Sequence, residues 1–111
     1  MNAYWSAGLA GLALWTGASW GADMSVTRDA YGETRSVSVR AGDLDLGRPE
    51  GAHELLARLQ FAAVRACDAE TPNRDLKLYA LQRACVRDTM GRAVSSVPSP
   101  LVWRLYAARE R

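Results

Sequence analysis

The chain has 111 residues and a formal net charge of +2, from 14 basic and 12 acidic side chains. None of the charged residues lies in the first 22 positions, so residues 23–111 predict one small domain, too short for a large cofactor-binding fold or a barrel. Acidic residues are interleaved with the basic ones, which excludes the concentrated basic surface of a dedicated nucleic-acid-binding protein.

The opening segment has the order of regions found in a secretory signal peptide. Residues 7–18 form an uncharged, largely apolar stretch, and the small residues Gly21 and Ala22 precede the first charge at Asp23. We expect residues 1–22 to be a signal peptide that is cleaved between positions 18 and 22, leaving a periplasmic or secreted protein. The alternative is an uncleaved N-terminal membrane anchor, since an uncharged segment of this length could span roughly 30 Å of hydrocarbon.

A β-hairpin is indicated next. Polar and apolar residues alternate in 24–28 and in 34–40, as in half-buried strands, and turn-forming residues separate the two segments. The alternation continues through residues 43–46 (DLDL) and ends before Pro49. A single strand would leave its backbone groups unpaired, so we expect either a hairpin or a partner strand from another chain.

Two amphipathic helices follow. Pro49 suits the first turn of a helix, and apolar residues then recur at spacings of three and four as far as Cys67. In the polar connection, Thr71 is a candidate cap and Pro72 a candidate first residue for a second helix over about residues 73–96. The predicted buried stripe of this second helix is Leu78, Leu81, Cys85, Thr89, Ala93 and Val97.

The last segment, residues 101–108, predicts a short amphipathic turn or two. We expect it to fold back over the core, with insertion at a membrane interface as the less favoured alternative. The elements together predict a mainly α protein of the α+β class: a disulfide-linked antiparallel helical pair with a short N-terminal β-strand or hairpin.

Cys67 and Cys85 are the only cysteines. In a short exported chain an even cysteine count predicts a disulfide, and the lengths of the connection and of the second helix allow these two to meet. A redox pair is the alternative. It normally requires a Cys-x-x-Cys sequence at a helix N-terminus, which lowers the pKa of one thiol. Neither the spacing nor the position within the helices provides this, so we expect a structural bond.

No set of residues predicts catalysis, a metal site or a cofactor. His53 is the only histidine and has no serine or cysteine at a suitable spacing to act with. Asp43 and Asp45 would face one way on a strand, but two carboxylates are too few for calcium, which takes six to eight oxygen ligands. We expect these aspartates to be solvated or to pair with Arg40 and Arg58.

Several motifs occur in a defined order between about residues 37 and 105. They comprise Asp43, Leu44, Asp45, Leu46, Pro49, Gly51, Arg58, Cys67 and the pairs around Cys85 and Ala93. In this order, after a signal-like start, they resemble the UrcA family of small exported bacterial proteins with paired cysteines. The resemblance implies export and a disulfide but no reaction, because the family's function is not established. Gly47 and Arg48 stand where that family usually has serine or threonine, and Ala41 where an aromatic residue is common.

These observations predict a non-catalytic interaction or structural protein of the cell envelope, with an unidentified protein partner and no nucleic acid. Two alternatives stay open: a periplasmic thiol-redox protein using Cys67 and Cys85, and an envelope protein held at the membrane by a retained N-terminal anchor. Alkylation of the native protein separates the first alternative, and cell fractionation separates the second.

Overall fold

The computed structural model describes residues 23–30 and 33–110, so the predicted signal peptide, residues 1–22, lies outside the described part of the chain. The elements, in chain order, are β1 (Met24–Ala30), β2 (Glu33–Val39), α1 (Pro49–Ala66), α2 (Leu76–Ser95) and α3 (Pro100–Arg109). This mainly helical α+β arrangement confirms the predicted fold class.

The two strands form an antiparallel hairpin. Met24 lies opposite Val39 and Ala30 lies opposite Glu33, so the strands pair along their whole length. Val26 and Val39 are buried against the helices, whereas the serines and threonines between the apolar positions are exposed. The period-2 alternation in the sequence is therefore that of a sheet with one face on the core and one in solvent.

Helix α1 begins at Pro49 as predicted, because proline has the right φ for a first turn and lacks an N–H that would need a partner there. The predicted apolar stripe is buried along its full length: Ala52, Leu55, Leu56, Leu59, Ala62, Ala63 and Ala66. At the C-terminal end, the N–H groups of Asp68 and Ala69 donate to the carbonyls of Arg65 (3.2 Å) and Val64 (2.9 Å). Asp68 has a φ of 51°, the left-handed conformation that ends a helix in this way.

The expected start of α2 is wrong by three residues. Neither Thr71 nor Pro72 starts the helix; Asp75 is the N-cap, and its side chain accepts hydrogen bonds from two backbone N–H groups of the first turn. The residues before it form a turn of their own, in which the Asn73 side chain accepts a hydrogen bond from the Asp75 N–H (2.9 Å). Aspartate is a stronger cap than threonine, and the asparagine turn presents it at the right place.

The N-terminal half of the predicted α2 stripe is also wrong. Leu78 and Leu81 are 47% and 50% exposed, and burial along α2 begins only at Cys85. Cys85 is joined to Cys67, the residue that ends α1. In an antiparallel pair, the turns of α2 before Cys85 thus extend beyond the end of α1. The apolar stripe of α1 does not reach far enough to cover them.

Helix α3 folds back over the core, as predicted. The Ser99 hydroxyl caps the helix by accepting from the Val102 N–H (3.3 Å) and donates to the carbonyl of Leu46 (3.0 Å). Val102 is fully buried, and the Trp103 indole donates to the carbonyl of Val94 (3.0 Å). One apolar cluster therefore joins the hairpin, the loop before α1 and all three helices.

Candidate functional site: the outer edge of β2

The outer edge of β2 is a strand edge without a backbone partner in the described part of the chain. The sheet has two strands, so β2 pairs with β1 on one side alone. In an antiparallel strand, alternate residues direct their N–H and C=O groups away from the partner. Within residues 23–30 and 33–110, no other backbone group is hydrogen-bonded to that edge. The edge therefore presents donors and acceptors that a further strand could use.

A groove of about 550 Å³ runs between this edge and α1. We call it the β2 edge groove; the residues used below are Val37, Val39, Arg40, Ala57, Phe61 and Arg65. Val37 is half-buried, and Phe61 is 65% exposed, because it lies off the buried stripe of α1. The groove thus combines unpaired backbone with accessible apolar surface.

An ion-pair cluster closes one end of the β2 edge groove. Two guanidinium nitrogens of Arg58 donate to the two carboxylate oxygens of Asp43 (2.8 and 3.0 Å), and a third donates to Glu54 (3.1 Å). Arg58 also donates to the carbonyl of Arg40 (2.8 Å), at the end of β2. The hydrogen bonds from Arg58 lower the pKa of Asp43 to about 2, and those to Asp43 and Glu54 raise the pKa of Arg58. The predicted pairing of Asp43 with Arg58 is therefore present.

Two other arginines of the groove have no such partner. Neither Arg40 nor Arg65 is within ion-pair distance of a carboxylate among the described residues. The Arg65 guanidinium lies over the ring of Phe61, 5.9 Å from its centre. Because Arg58 is paired with Asp43 and Glu54, Arg40 and Arg65 are the two arginines of the groove left without an ion pair in the described part of the chain.

Cys67 and Cys85 form the predicted disulfide, with their Cα atoms 6.0 Å apart. Both residues are buried, at 5% and 9% exposure, between α1 and α2. Because the chain has two cysteines and both are in this bond, neither thiol is free. The bond lies at the junction of the two helices, where it fixes how far one extends past the other.

The other residues considered in the sequence, residues 43–46 and His53, do not form a chemical site. The alternation predicted at residues 43–46 is present in their burial, but the segment is not a continuous strand: Asp45 alone makes a β-bridge, turns lie on either side of it, and its side chain accepts a hydrogen bond from the Gly47 N–H (2.9 Å). Leu44 and Leu46 are buried, whereas Asp43 is exposed and Asp45 is half-buried. His53 is exposed on α1 and does not belong to the groove.

Sequence reasoning missed Arg28, which is 2% exposed at the centre of β1. Its Nε donates to the carbonyl of Ala66 at the end of α1 (3.0 Å), and an Nη donates to Glu33 (3.1 Å). A cation is favourable at a helix C-terminus, where backbone carbonyls lack partners. Arg35 makes a second link by pairing with Asp68. The alternation in β1 could have indicated the burial of Arg28, since it places residue 28 on the same face of the strand as Val26.

Comparisons of the chain with models of known protein families, with curated proteins and with solved structures found no match. The resemblance to the UrcA family therefore stays a prediction. Among the helices of residues 23–30 and 33–110, none is both long enough and apolar enough to span a membrane.

Proposed function

We propose that this is an exported, non-catalytic interaction protein that binds an extended, acidic segment of a partner along the outer edge of β2. The observation that carries the proposal is the unpaired β2 edge lying beside a groove with apolar and arginine side chains. Export rests on the predicted signal peptide at residues 1–22 and agrees with the resemblance to the UrcA family.

Backbone pairing supplies the first part of the recognition. An extended segment that adds to a sheet edge satisfies its own N–H and C=O groups and those of the edge strand together. The β2 strand contains no proline that would block this. Its exposed face carries small hydroxyl side chains, including Ser36, whose Oγ is 3.2 Å from the Thr27 hydroxyl. Neither a proline nor a bulky side chain on the exposed face of β2 therefore obstructs an added strand.

The β2 edge groove supplies the second part. Alternate side chains of an added strand would point toward α1, where Val37, Ala57 and Phe61 offer apolar contact. Covering Phe61 would remove the largest exposed apolar side chain of α1 from water. We therefore expect apolar residues at every second position of the bound segment.

Charge decides which strand is favoured. In β2 and the residue after it, Glu33 pairs with Arg28 and Arg35 pairs with Asp68. A second copy paired through β2 would therefore add another Arg40 without an ion pair among the described residues, and no carboxylate of that segment free to pair with it. Like charges across a strand pair are destabilising, whereas opposite charges stabilise it. Arg40 and Arg65, without ion pairs among the described residues, would instead pair with carboxylates of a partner. An acidic segment therefore fits better than a second copy.

The proposal is tested by titrating the full chain, with its disulfide intact, with two matched synthetic peptides in a calorimeter. One peptide alternates valine with glutamate, and the other has lysine in place of each glutamate. We expect the glutamate peptide alone to bind. The Arg40→Glu variant should weaken that binding about tenfold, whereas the control Arg92→Glu, an exposed position of α2 outside the groove, should not.

Equal binding of the two peptides, or equal binding by the Arg40→Glu and Arg92→Glu variants, would contradict the proposal. Sedimentation of the chain alone adds a second check. Self-association that the Arg40→Glu change alters would identify the partner of β2 as another copy of the chain, and would overturn the assignment of an acidic partner.

A further inference from the structure

A second cleft, separate from the β2 edge groove, lies where α1, α2 and α3 meet. Its volume is about 420 Å³, within the range of small-molecule sites. The residues used below are Val64 of α1, Tyr79, Arg83, Arg87 and Met90 of α2, and Tyr106 of α3. Val64 is half-buried and Met90 is 2% exposed, so the base of the cleft is apolar. We call this the helical cleft.

One wall of the helical cleft is the connection between α1 and α2, which is held in place by the side chain of Gln82 and by the disulfide. The Gln82 amide nitrogen donates to the carbonyls of Asp68 (3.2 Å) and Thr71 (3.3 Å), and its oxygen accepts from the Asn73 N–H (2.9 Å). The disulfide fixes the same segment from its other end at Cys67. The wall is therefore ordered before any ligand arrives, which reduces the entropic cost of binding.

The rim of the helical cleft is basic. Arg83 and Arg87 lie one turn apart on the same side of α2, and neither is in an ion pair with a carboxylate of residues 23–30 and 33–110. Arg83 donates to the Tyr79 hydroxyl (3.2 Å), with its guanidinium 5.8 Å from the centre of that ring. The cleft contains one carboxylate, that of Glu110, against these two arginines.

The two tyrosines complete the arrangement. Tyr79 and Tyr106 are half-buried, so each offers a ring face and a hydroxyl to a bound molecule. Burial and the neighbouring Glu110 carboxylate raise the pKa of Tyr106, so its phenol is protonated at neutral pH. The two arginines can thus bind an anionic group, while Val64 and Met90 contact an apolar group.

We infer that the helical cleft binds a small organic anion with an apolar body. A carboxylate or phosphate group would bind Arg83 and Arg87, and the body would lie against Val64 and Met90. Arginine suits this role because its fixed array of donors matches the oxygens of such groups. This site is independent of the partner strand at β2, because the two sets of residues do not overlap.

The test is an NMR titration of the full chain, with its disulfide intact, with two carboxylic acids. Octanoate has an aliphatic body and 4-phenylbutyrate has an aromatic one. Two control compounds each lack one feature: octanol has an apolar body without a charge, and inorganic phosphate has a charge without an apolar body. We expect saturable shifts at the helical cleft with at least one of the two acids and no saturation with octanol or phosphate. The acid that binds more tightly shows whether the cleft prefers a ligand with an aliphatic or an aromatic body.

The variant for this test carries Arg83→Gln and Arg87→Gln together. It should weaken binding of the acid about tenfold or more, whereas the control Arg104→Gln, exposed on α3 outside the cleft, should bind as the unaltered chain does. Binding of octanol equal to that of octanoate, saturation by phosphate alone, failure of both acids, or unchanged binding by the double variant would each overturn the inference.

Discussion

Replacing Gly51 with alanine should strongly destabilise the fold, because this residue of α1 is pressed against the backbone of the loop before the helix. A Cβ at this position would lie 2.1 Å from the carbonyl oxygen of Asp45 and 2.8 Å from its carbonyl carbon. Backbone atoms cannot rotate aside as a flexible side chain can. The loop is also held from its other side, where Ser99 donates to the carbonyl of Leu46 and where Leu44 is buried.

The expected loss of stability follows from two opposing effects. Alanine in a helix is intrinsically better than glycine by roughly 0.5–1 kcal/mol. Relieving the contact requires the loop to move by more than 1 Å, since ordinary contact begins at 3.4 Å. That movement draws Leu44 and Leu46 away from the core, and overpacking of this kind costs about 1–3 kcal/mol or more. Because the 2.1 Å contact is with backbone, the cost lies at the upper end of that range, so we expect a net loss of about 2 kcal/mol, which lowers Tm by roughly 10 °C in a domain of this size.

Thermal unfolding followed by circular dichroism measures this effect, and the chain provides a matched control. A Cβ at Gly91, in α2, would meet nothing within 4 Å. The Gly91→Ala variant should therefore be more stable than the unaltered chain by roughly 0.5–1 kcal/mol. The same substitution thus has opposite signs at the two glycines. A Gly51→Ala variant that unfolds at or above the temperature of the unaltered chain would refute the packing of α1 against Asp45.

Three further predictions concern the disulfide, the core and acid stability. Reduction should lower Tm, because closing the loop stabilises the fold by about 3 kcal/mol; an alkylating reagent should label neither cysteine beforehand, and rapid labelling would favour a redox role. In urea unfolding, Leu59→Ala should lower the free energy of unfolding by about 2–4 kcal/mol, since Leu59 is fully buried. Arg65→Ala, at an exposed position, should lower it by under about 0.5 kcal/mol. Equal losses would contradict the assignment of the buried face of α1. The pKa of Asp43 falls from 3.8 to about 2 on pairing with Arg58, so its stabilisation is present above about pH 4 and is lost as the pH falls toward 2. Asp43→Asn should reduce the drop in Tm over that range, and an unchanged drop would count against the pair.

The hairpin and α1 could be predicted from the sequence because several local signals agree there. Pro49 marks the helix start, the apolar spacing marks the buried face, and the alternation in residues 34–40 matches a half-buried strand. The disulfide could be predicted from the cysteine count in a short chain that is predicted to be exported. These features depend on neighbours close in sequence or on chain chemistry, not on how the elements dock.

The start of α2 shows where local signals compete. Thr71 and Asp75 can each cap a helix, and the sequence does not reveal that the Gln82 side chain holds the connection in a turn until Asp75. The exposure of Leu78 has a related cause, since it depends on where the disulfide sets α2 relative to α1. The start of α2 and the exposure of Leu78 both depend on contacts between residues far apart in the sequence.

The two candidate binding surfaces could not be predicted for the same reason. The groove beside Phe61 exists because β2 docks next to α1, and the cleft beside Arg83 exists because α3 returns to the end of α1. Residues far apart in sequence form each one. The burial of Arg28 likewise depends on the end of α1 lying under the hairpin, which supplies the carbonyl of Ala66.

Amide hydrogen exchange of the full chain, with and without the peptide that alternates valine and glutamate, tests the central claim that a partner strand pairs with β2. Pairing predicts slower exchange at every second residue of 34–40, because alternate N–H groups face the outer edge, with β1 unchanged. Protection that is absent from β2, or that appears at successive residues of α1 beside Phe61 without this alternation, would contradict the account.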